Sequence, residues 1–155
     1  MDNILRRTTF IVADIEAAIA FYTSVFGWTV WYDNTLAPDP RFPPAAPAGT
    51  KCRLVILKVD DPEIGMLGFM QYEIDIPSIF PRKEDKVRTG DAILVINSED
   101  PDAVYERAKQ TKANIVAPPV DWEVPSHDGK GTIKLRTMSL FDPNGIYMEV
   151  NRRGG

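Results

Sequence analysis

The chain has 155 residues, 44% hydrophobic and 26% charged, with a net charge of −4; this is the make-up of an ordinary globular domain with room for one core or two small modules sharing one. The negative balance leaves no basic face to offset phosphate repulsion and argues against a nucleic-acid partner. One cysteine, Cys52, excludes an internal disulfide framework and fits a reducing compartment, and with no signal peptide and no apolar run near the roughly 18 residues of a membrane span, the expectation is a cytoplasmic protein with no membrane partner.

Thr8 to Val12 is β-branched and aromatic, which predicts a strand. Asp14 stands at an N-cap position ahead of Ile15, Ala18, Ile19, Tyr22 and Phe26 at helical spacing, and Gly27 stops the helix. Trp28 to Tyr32 reads as a second strand. Leu36 to Gly49 holds five prolines, too many for a helix or central strand, and is expected to be an irregular loop, either mobile or a lid. Lys51 to Val59 and Met66 to Ile74 form a predicted hairpin around residues 60–65, and the polar stretch Pro77 to Thr89 reads as a linker.

The order then repeats. Ala92 to Asn97 is a predicted strand, Asp100-Pro101-Asp102-Ala103 caps a helix with Pro at its first position, and Asn114 to Ala117 starts another strand. Val120 to Gly131 reads as a loop. Thr132 to Leu140 is expected to pair with Ile146 to Asn151 across the turn Asp142-Pro143-Asn144-Gly145, where Pro143 presets φ and Asn144 and Gly145 tolerate positive φ. An offset of 86 residues lays Asp14 to Ile19 over Asp100 to Tyr105, and the hairpins match at a slightly different offset, with Asp61-Pro62 over Asp142-Pro143. The predicted fold class is therefore α+β: tandem βαβββ modules forming a cupped mixed or antiparallel sheet with helices on the outer face, module 1 at about 4–76, the linker at 77–89 and module 2 at about 90–153, within a single domain spanning 1–155.

Two stretches carry a family pattern. Val12-Ala13-Asp14-Ile15-Glu16-Ala17-Ala18-Ile19-Ala20-Phe21-Tyr22 with Val25-Phe26-Gly27-Trp28, and Phe141-Asp142-Pro143-Asn144-Gly145 with Glu149, resemble the opening and closing motifs of the vicinal oxygen chelate superfamily, which includes glyoxalase I, the bleomycin-resistance proteins and the extradiol dioxygenases. The resemblance covers nearly the whole chain. It implies a sheet cupped around a divalent metal, commonly in a homodimer. One ligand, a His or Gln, is implied seven residues before the helix-capping Asp of each module, and one acid on each module's fourth strand, the last of them seven residues after the Asp of Asp-Pro-x-Gly.

Carried over, the first two positions are Arg7 and Ile93, and the acid positions are Gly68 and Glu149, so a ligand fills one of four. A divalent ion needs about three or four protein donors, and the guanidinium of Arg7 would repel it. The expectation is therefore no cofactor, a divalent metal remaining the alternative with Glu149 as its one matching ligand. Glu149 alternates with Met148 and Val150 and, through the resemblance, faces the cup with Arg7. The pair is read either as a ligand-binding couple, Arg7 holding an anionic or carbonyl group and Glu149 orienting it or acting as catalytic base, or as an ion pair filling the lost metal site.

Thr9, Tyr72, Trp122, His127 and Tyr147 are the further expected ligand-lining residues. His127, the only histidine, sits in a Ser126-His127-Asp128 string that makes no triad, because triad members converge from separate elements. Arg53 and Arg136 are expected on solvated faces. Cys52 is either a thiol activated by Lys51 and Arg53 or an apolar filler. Three function classes stand at this point. The first is a metal-independent small-molecule binder. The second is a lyase, isomerase or dioxygenase-like enzyme, working by acid–base chemistry or through displaced metal ligands drawn from Glu149, His127 and Glu73. The third is an oligomeric or regulatory protein.

Overall fold

The computed structural model describes residues 4–61, 64–77 and 86–154. The chain divides into two compact units, Met1–Ile79 and Phe80–Gly155, each a four-stranded mixed sheet with one helix. The middle of the predicted linker, 78–85, lies outside the described residues, as do Pro62 and Glu63 of the first hairpin turn.

In the first unit β1 (Arg7–Ile11), α1 (Ile15–Phe26), β2 (Thr29–Leu36), β3 (Cys52–Lys58) and β4 (Met66–Tyr72) form a sheet of order β1-β4-β3-β2, with β1 parallel to β4 and the other pairs antiparallel. The helix starts where the Asp14 carboxylate accepts the Ala17 N–H at 2.9 Å, and it ends at Gly27, whose φ of 71° is the left-handed conformation that glycine adopts without steric cost. Its apolar stripe of Ala18, Phe21, Tyr22 and Val25 packs on the sheet face that carries Val55, Leu57, Leu67 and Phe69. Tyr22 lies 5.1 Å from Phe69, centroid to centroid, and Phe10 stacks on Phe69 from the neighbouring strand.

The second unit repeats the plan: β5 (Leu94–Asn97), α2 (Pro101–Ala108), β6 (Asn114–Pro125), β7 (Thr132–Phe141) and β8 (Tyr147–Arg153), in the order β5-β8-β7-β6 with β5 parallel to β8. Asp100 caps α2 by accepting the Ala103 N–H at 3.0 Å. Met138, Leu140, Met148 and Val150 are fully buried on the face that carries α2. The duplication holds at the level of register, since Thr9 faces Gly68 across β1 and β4 while Val95 faces Glu149 across β5 and β8.

An ion cluster recurs at matching places. Arg53 of β3 forks onto Asp33 of β2 at 2.8 Å and also reaches Glu16 in the first turn of α1. Arg136 of β7 forks onto Asp102 in the first turn of α2 at 2.7 Å and reaches Asp121 of β6 at 3.1 Å. The fork geometry and the charge hold the Asp33 and Asp102 carboxyls below the usual carboxylate range and raise both guanidinium groups. Both arginines thus lie on the helix-bearing faces, tying strand to helix start, and not on simple solvated faces as expected from sequence.

Three boundaries also change. β2 runs on to Leu36, because Asp33-Asn34-Thr35 keeps pairing with Arg53 to Leu54 and Val55 in β3. The predicted loop Val120 to Gly131 is largely strand: β6 continues to Pro125, absorbing Pro118-Pro119 through irregularities between Ile115 and Val120, and only residues 126–131 turn. Last, β5 begins at Leu94, so Ile93 precedes the strand.

Candidate functional site

Each sheet has a second face that carries no helix. On the first unit, alternation along β1 puts Arg7, Thr9 and Ile11 on it. The Arg7 Nε donates to Thr9 Oγ1 at 2.9 Å, which fixes the start of the guanidinium on a residue that is exposed. Beside them a hollow of about 530 Å³ is lined by Arg6, Arg7, Thr9, Trp31 and Met66. Trp31 stands out at a break in the β2 register between Val30 and Tyr32 and is half exposed, with the Lys58 Nζ 5.9 Å from its ring centroid. Trp31 was not foreseen as a lining residue; its only signal was membership of a strand-forming aromatic run.

Gly68 sits under this group. A Cβ built on it would lie 2.6 Å from Thr9 Oγ1 and 3.2 Å from Arg7 Cδ. The position where the resemblance implies an acid is therefore occupied by the side chains of the adjacent strand, and a carboxylate there would require Thr9 to rotate and break its bond to Arg7. The first unit offers a cationic guanidinium, a hydroxyl and a glycine, a set that does not fit a divalent ion.

On the second unit the open face is organised by the turn before β8. The Asp142 carboxylate, 3% exposed, accepts the N–H groups of Asn144 at 2.9 Å and Ile146 at 2.8 Å, and the Gly145 N–H returns to the Asp142 carbonyl at 2.9 Å with φ of 83° at the glycine. This locks the phase of β8, so Glu149 comes out on the open face between Val95 and Ser139, half-buried, while Met148 and Val150 go to the core. Two residues on, the Trp122 indole Nε1–H donates to Thr137 Oγ1 at 2.7 Å, and the Thr137 hydroxyl donates to Asn151 Oδ1 at 2.5 Å. The relay commits the amide oxygen of Asn151 and leaves its amino group as donor. Thr137 and Ser139 are buried polar residues that sequence reasoning missed; Asn151 was legible only as a neighbour on the face of Glu149.

The remaining candidates scatter. Tyr147 shares the face of Glu149 at the start of β8, its ring centroid 5.1 Å from Phe141. Trp122 is a residue of β6 and not of the loop expected over Val120 to Gly131. His127 is exposed in the turn between β6 and β7, where Ser126 donates to Asp128 at 2.5 Å. Ser139, opposite Glu149, lies seven residues up β7 from Thr132 at that turn, roughly 23 Å along the strand; His127 and Glu149 are not brought together. Tyr72 is on the same face as Gly68 but at the other end of β4, beneath the proline-rich loop. Glu73 accepts the Lys51 N–H at 3.1 Å. Cys52 is buried, its thiol pushed up by burial, and alternation sends Lys51 and Arg53 to the opposite face, so it is the apolar filler and not an activated thiol. Among the described residues, no group of three or more His, Cys, Asp or Glu is placed to hold a metal ion, and no helix is long and apolar enough to cross a membrane.

No curated protein matches the chain. A glyoxalase family protein from Bacillus cereus superposes with a TM-score of 0.76 at 14% identity, over 99% of this chain and 97% of that one. The trypanothione-dependent glyoxalase I of Leishmania major gives 0.59 at 18% identity over 97% and 87%, and a glyoxalase I mutant from Zea mays gives 0.61 at 15% over 96% and 46%. At these identities the likeness concerns the fold alone. The sequence profile of the Glyoxalase/Bleomycin resistance protein/Dioxygenase superfamily matches residues 4–150. That match spans nearly all of both modules, and the chain belongs to this superfamily.

Proposed function

We propose that the protein is a small-molecule binder of this superfamily that holds its ligand on the open sheet face without the family's usual divalent metal. The observation that carries the reading is Gly68 with Arg7 and Thr9 packed across it, where a carboxylate would be needed. The guanidinium of an exposed arginine beside an exposed indole is suited to a planar anion: the fork takes the carboxylate and the ring stacks on the body. The second unit's own open face carries a separate set, with Glu149 as acceptor, the Asn151 amino group as donor and the Trp122 indole beside them.

Benzoate and 1-naphthoate, titrated against tryptophan fluorescence, are the test. Arg7→Ala should weaken binding about 10- to 100-fold, the value of a charge-assisted hydrogen bond, and Trp31→Phe should remove most of the quenching. Affinity unchanged in Arg7→Ala would remove this site on the first unit. A second reading, an acid–base enzyme, draws on Glu149, half-buried beside Ser139; in that case Glu149→Gln loses turnover while affinity persists. Exposed apolar residues on both units, Trp31 and Val95 among them, support a homodimer.

A further inference from the structure

The proline-rich loop lies over a patch of sheet that the Arg7 hollow does not use. Cys52 stands opposite Tyr72, and Leu54 opposite Met70, on the helix-free face of β3 and β4. Met66 faces Arg7 in the register, and Tyr72 is six residues further along β4, roughly 20 Å away. Ala45 and Ala46 of the loop pack on this patch together with Leu36 and Ile76, leaving Cys52, Met70 and Tyr72 at 1%, 6% and 7% exposure. The side chains of the patch and of its cover (Cys52, Leu54, Met70, Tyr72, Leu36, Ala45, Ala46 and Ile76) are neutral, and the charged Glu16, Lys51, Arg53 and Glu73 line a hollow at its edge.

Within this apolar cover the Tyr72 hydroxyl has no hydrogen-bond partner among the described residues and is shut off from solvent. A buried donor left unpaired costs about 1–3 kcal/mol, and native structures rarely leave one without a reason. The cover itself is slight. Among the described residues its backbone hydrogen bonds are local turns, Phe42 to Asp39, Ala45 to Pro43 and Thr50 to Pro47, and the aliphatic side chains it lays on the buried cluster, Ala45 and Ala46, are small. A segment held by so little apolar contact opens at low cost.

We propose that residues 37–50 are a flap over a second ligand subsite, whose occupant is a neutral, largely apolar molecule bearing one hydrogen-bond acceptor for the Tyr72 hydroxyl. Burial and the adjacent Cys52 push the phenol up, so it stays a donor at neutral pH. The absence of a charged side chain among the patch residues selects against ions, which separates this subsite from the anion expected at Arg7. It uses neither Arg7 nor Trp31, so failure of the carboxylate titration and failure here are distinguishable.

Cys52 is the only cysteine, so thiol labelling reports on this patch alone. The experiment measures the labelling rate of the folded full chain with Ellman's reagent in the presence of acetophenone or ethylbenzene, which differ by the carbonyl. The expected result is measurable labelling of folded protein, slowed saturably by acetophenone and at roughly two- to tenfold higher concentration by ethylbenzene, the span of one net hydrogen bond. In Tyr72→Phe the two probes should protect equally. Equal protection in the native protein, a difference that survives Tyr72→Phe, or no protection by either probe would overturn the subsite. Labelling only at the rate of global unfolding would overturn the flap and the subsite with it.

Discussion

Phe69→Ala should lower stability by about 3–5 kcal/mol, the range for deleting a buried aromatic ring. Phe69 is fully buried at the centre of the first unit, with Tyr22 5.1 Å away on the helix and Phe10 stacked from β1 at 6.5 Å. The neighbours that would have to collapse into the space are held from three directions. Val55 is paired across the sheet, Tyr22 is clamped in T-shaped contact with Phe21 and stacked on Trp28, and Phe10 is fixed by the parallel ladder to β4. Relaxation is therefore small and the cavity cost large. For a chain of this size the melting temperature should fall by roughly 10 °C. Phe69→Leu, which refills most of the volume, should recover more than half of the loss in urea midpoint. A loss under about 1 kcal/mol for the alanine variant would mean that the ring is not the keystone of this core.

The second large effect is at Asp142. Its carboxylate oxygen accepts two backbone N–H groups, those of Asn144 and Ile146, within a turn that sets which face Glu149 occupies. Asp142→Ala removes that acceptor, and half-buried donors are left to incomplete solvation, so a loss of about 2 kcal/mol is expected. Asp142→Asn keeps an oxygen in the same place and should restore most of it, which separates hydrogen bonding from simple burial. Since a slip of one residue would carry every β8 side chain to the other face, amide exchange should quicken in β8 and in β5 beside it in the alanine variant. Unchanged exchange there would show that the core residues Met148 and Val150 hold the register without the turn.

Much of this architecture was legible because local chemistry and global order agree. The two capping aspartates, Gly27, Pro101 and the Asp142 turn are each strong local signals, and their recurrence at near-constant offset exposes the duplication. Errors came where tertiary pairing overrides local preference. Pro118-Pro119 and the glycines at 129 and 131 suggested a loop, yet pairing with β7 carries β6 on to Pro125. Asp33 and Asn34 look like turn formers but lie in β2, where Asp33 is held by Arg53. The facing of Arg53 and Arg136 depends on which strand partners they meet, information that no local window contains.

The site was legible to the same depth. The alternation of Glu149 with Met148 and Val150 reads from sequence and is the one β8 shows, and Tyr72 shares the face of Gly68 on β4. Trp31 was invisible because a register break, not a motif, turns it outward, and the Thr137–Asn151 relay was invisible because it joins residues 14 apart across a hairpin. That Thr9 lies over Gly68 required coordinates, since glycine in a strand reads from sequence only as a weak point.

In the proposed function a guanidinium and a glycine stand where the resemblance puts metal ligands, and ligand binding proceeds without the metal. Elemental analysis by mass spectrometry of tag-free protein, dialysed without chelator, tests it most directly. Far less than one transition-metal ion per chain is predicted, with benzoate affinity unchanged by prior chelator treatment. About one zinc, nickel, iron or manganese per chain, as a well-formed protein site would retain, would contradict it.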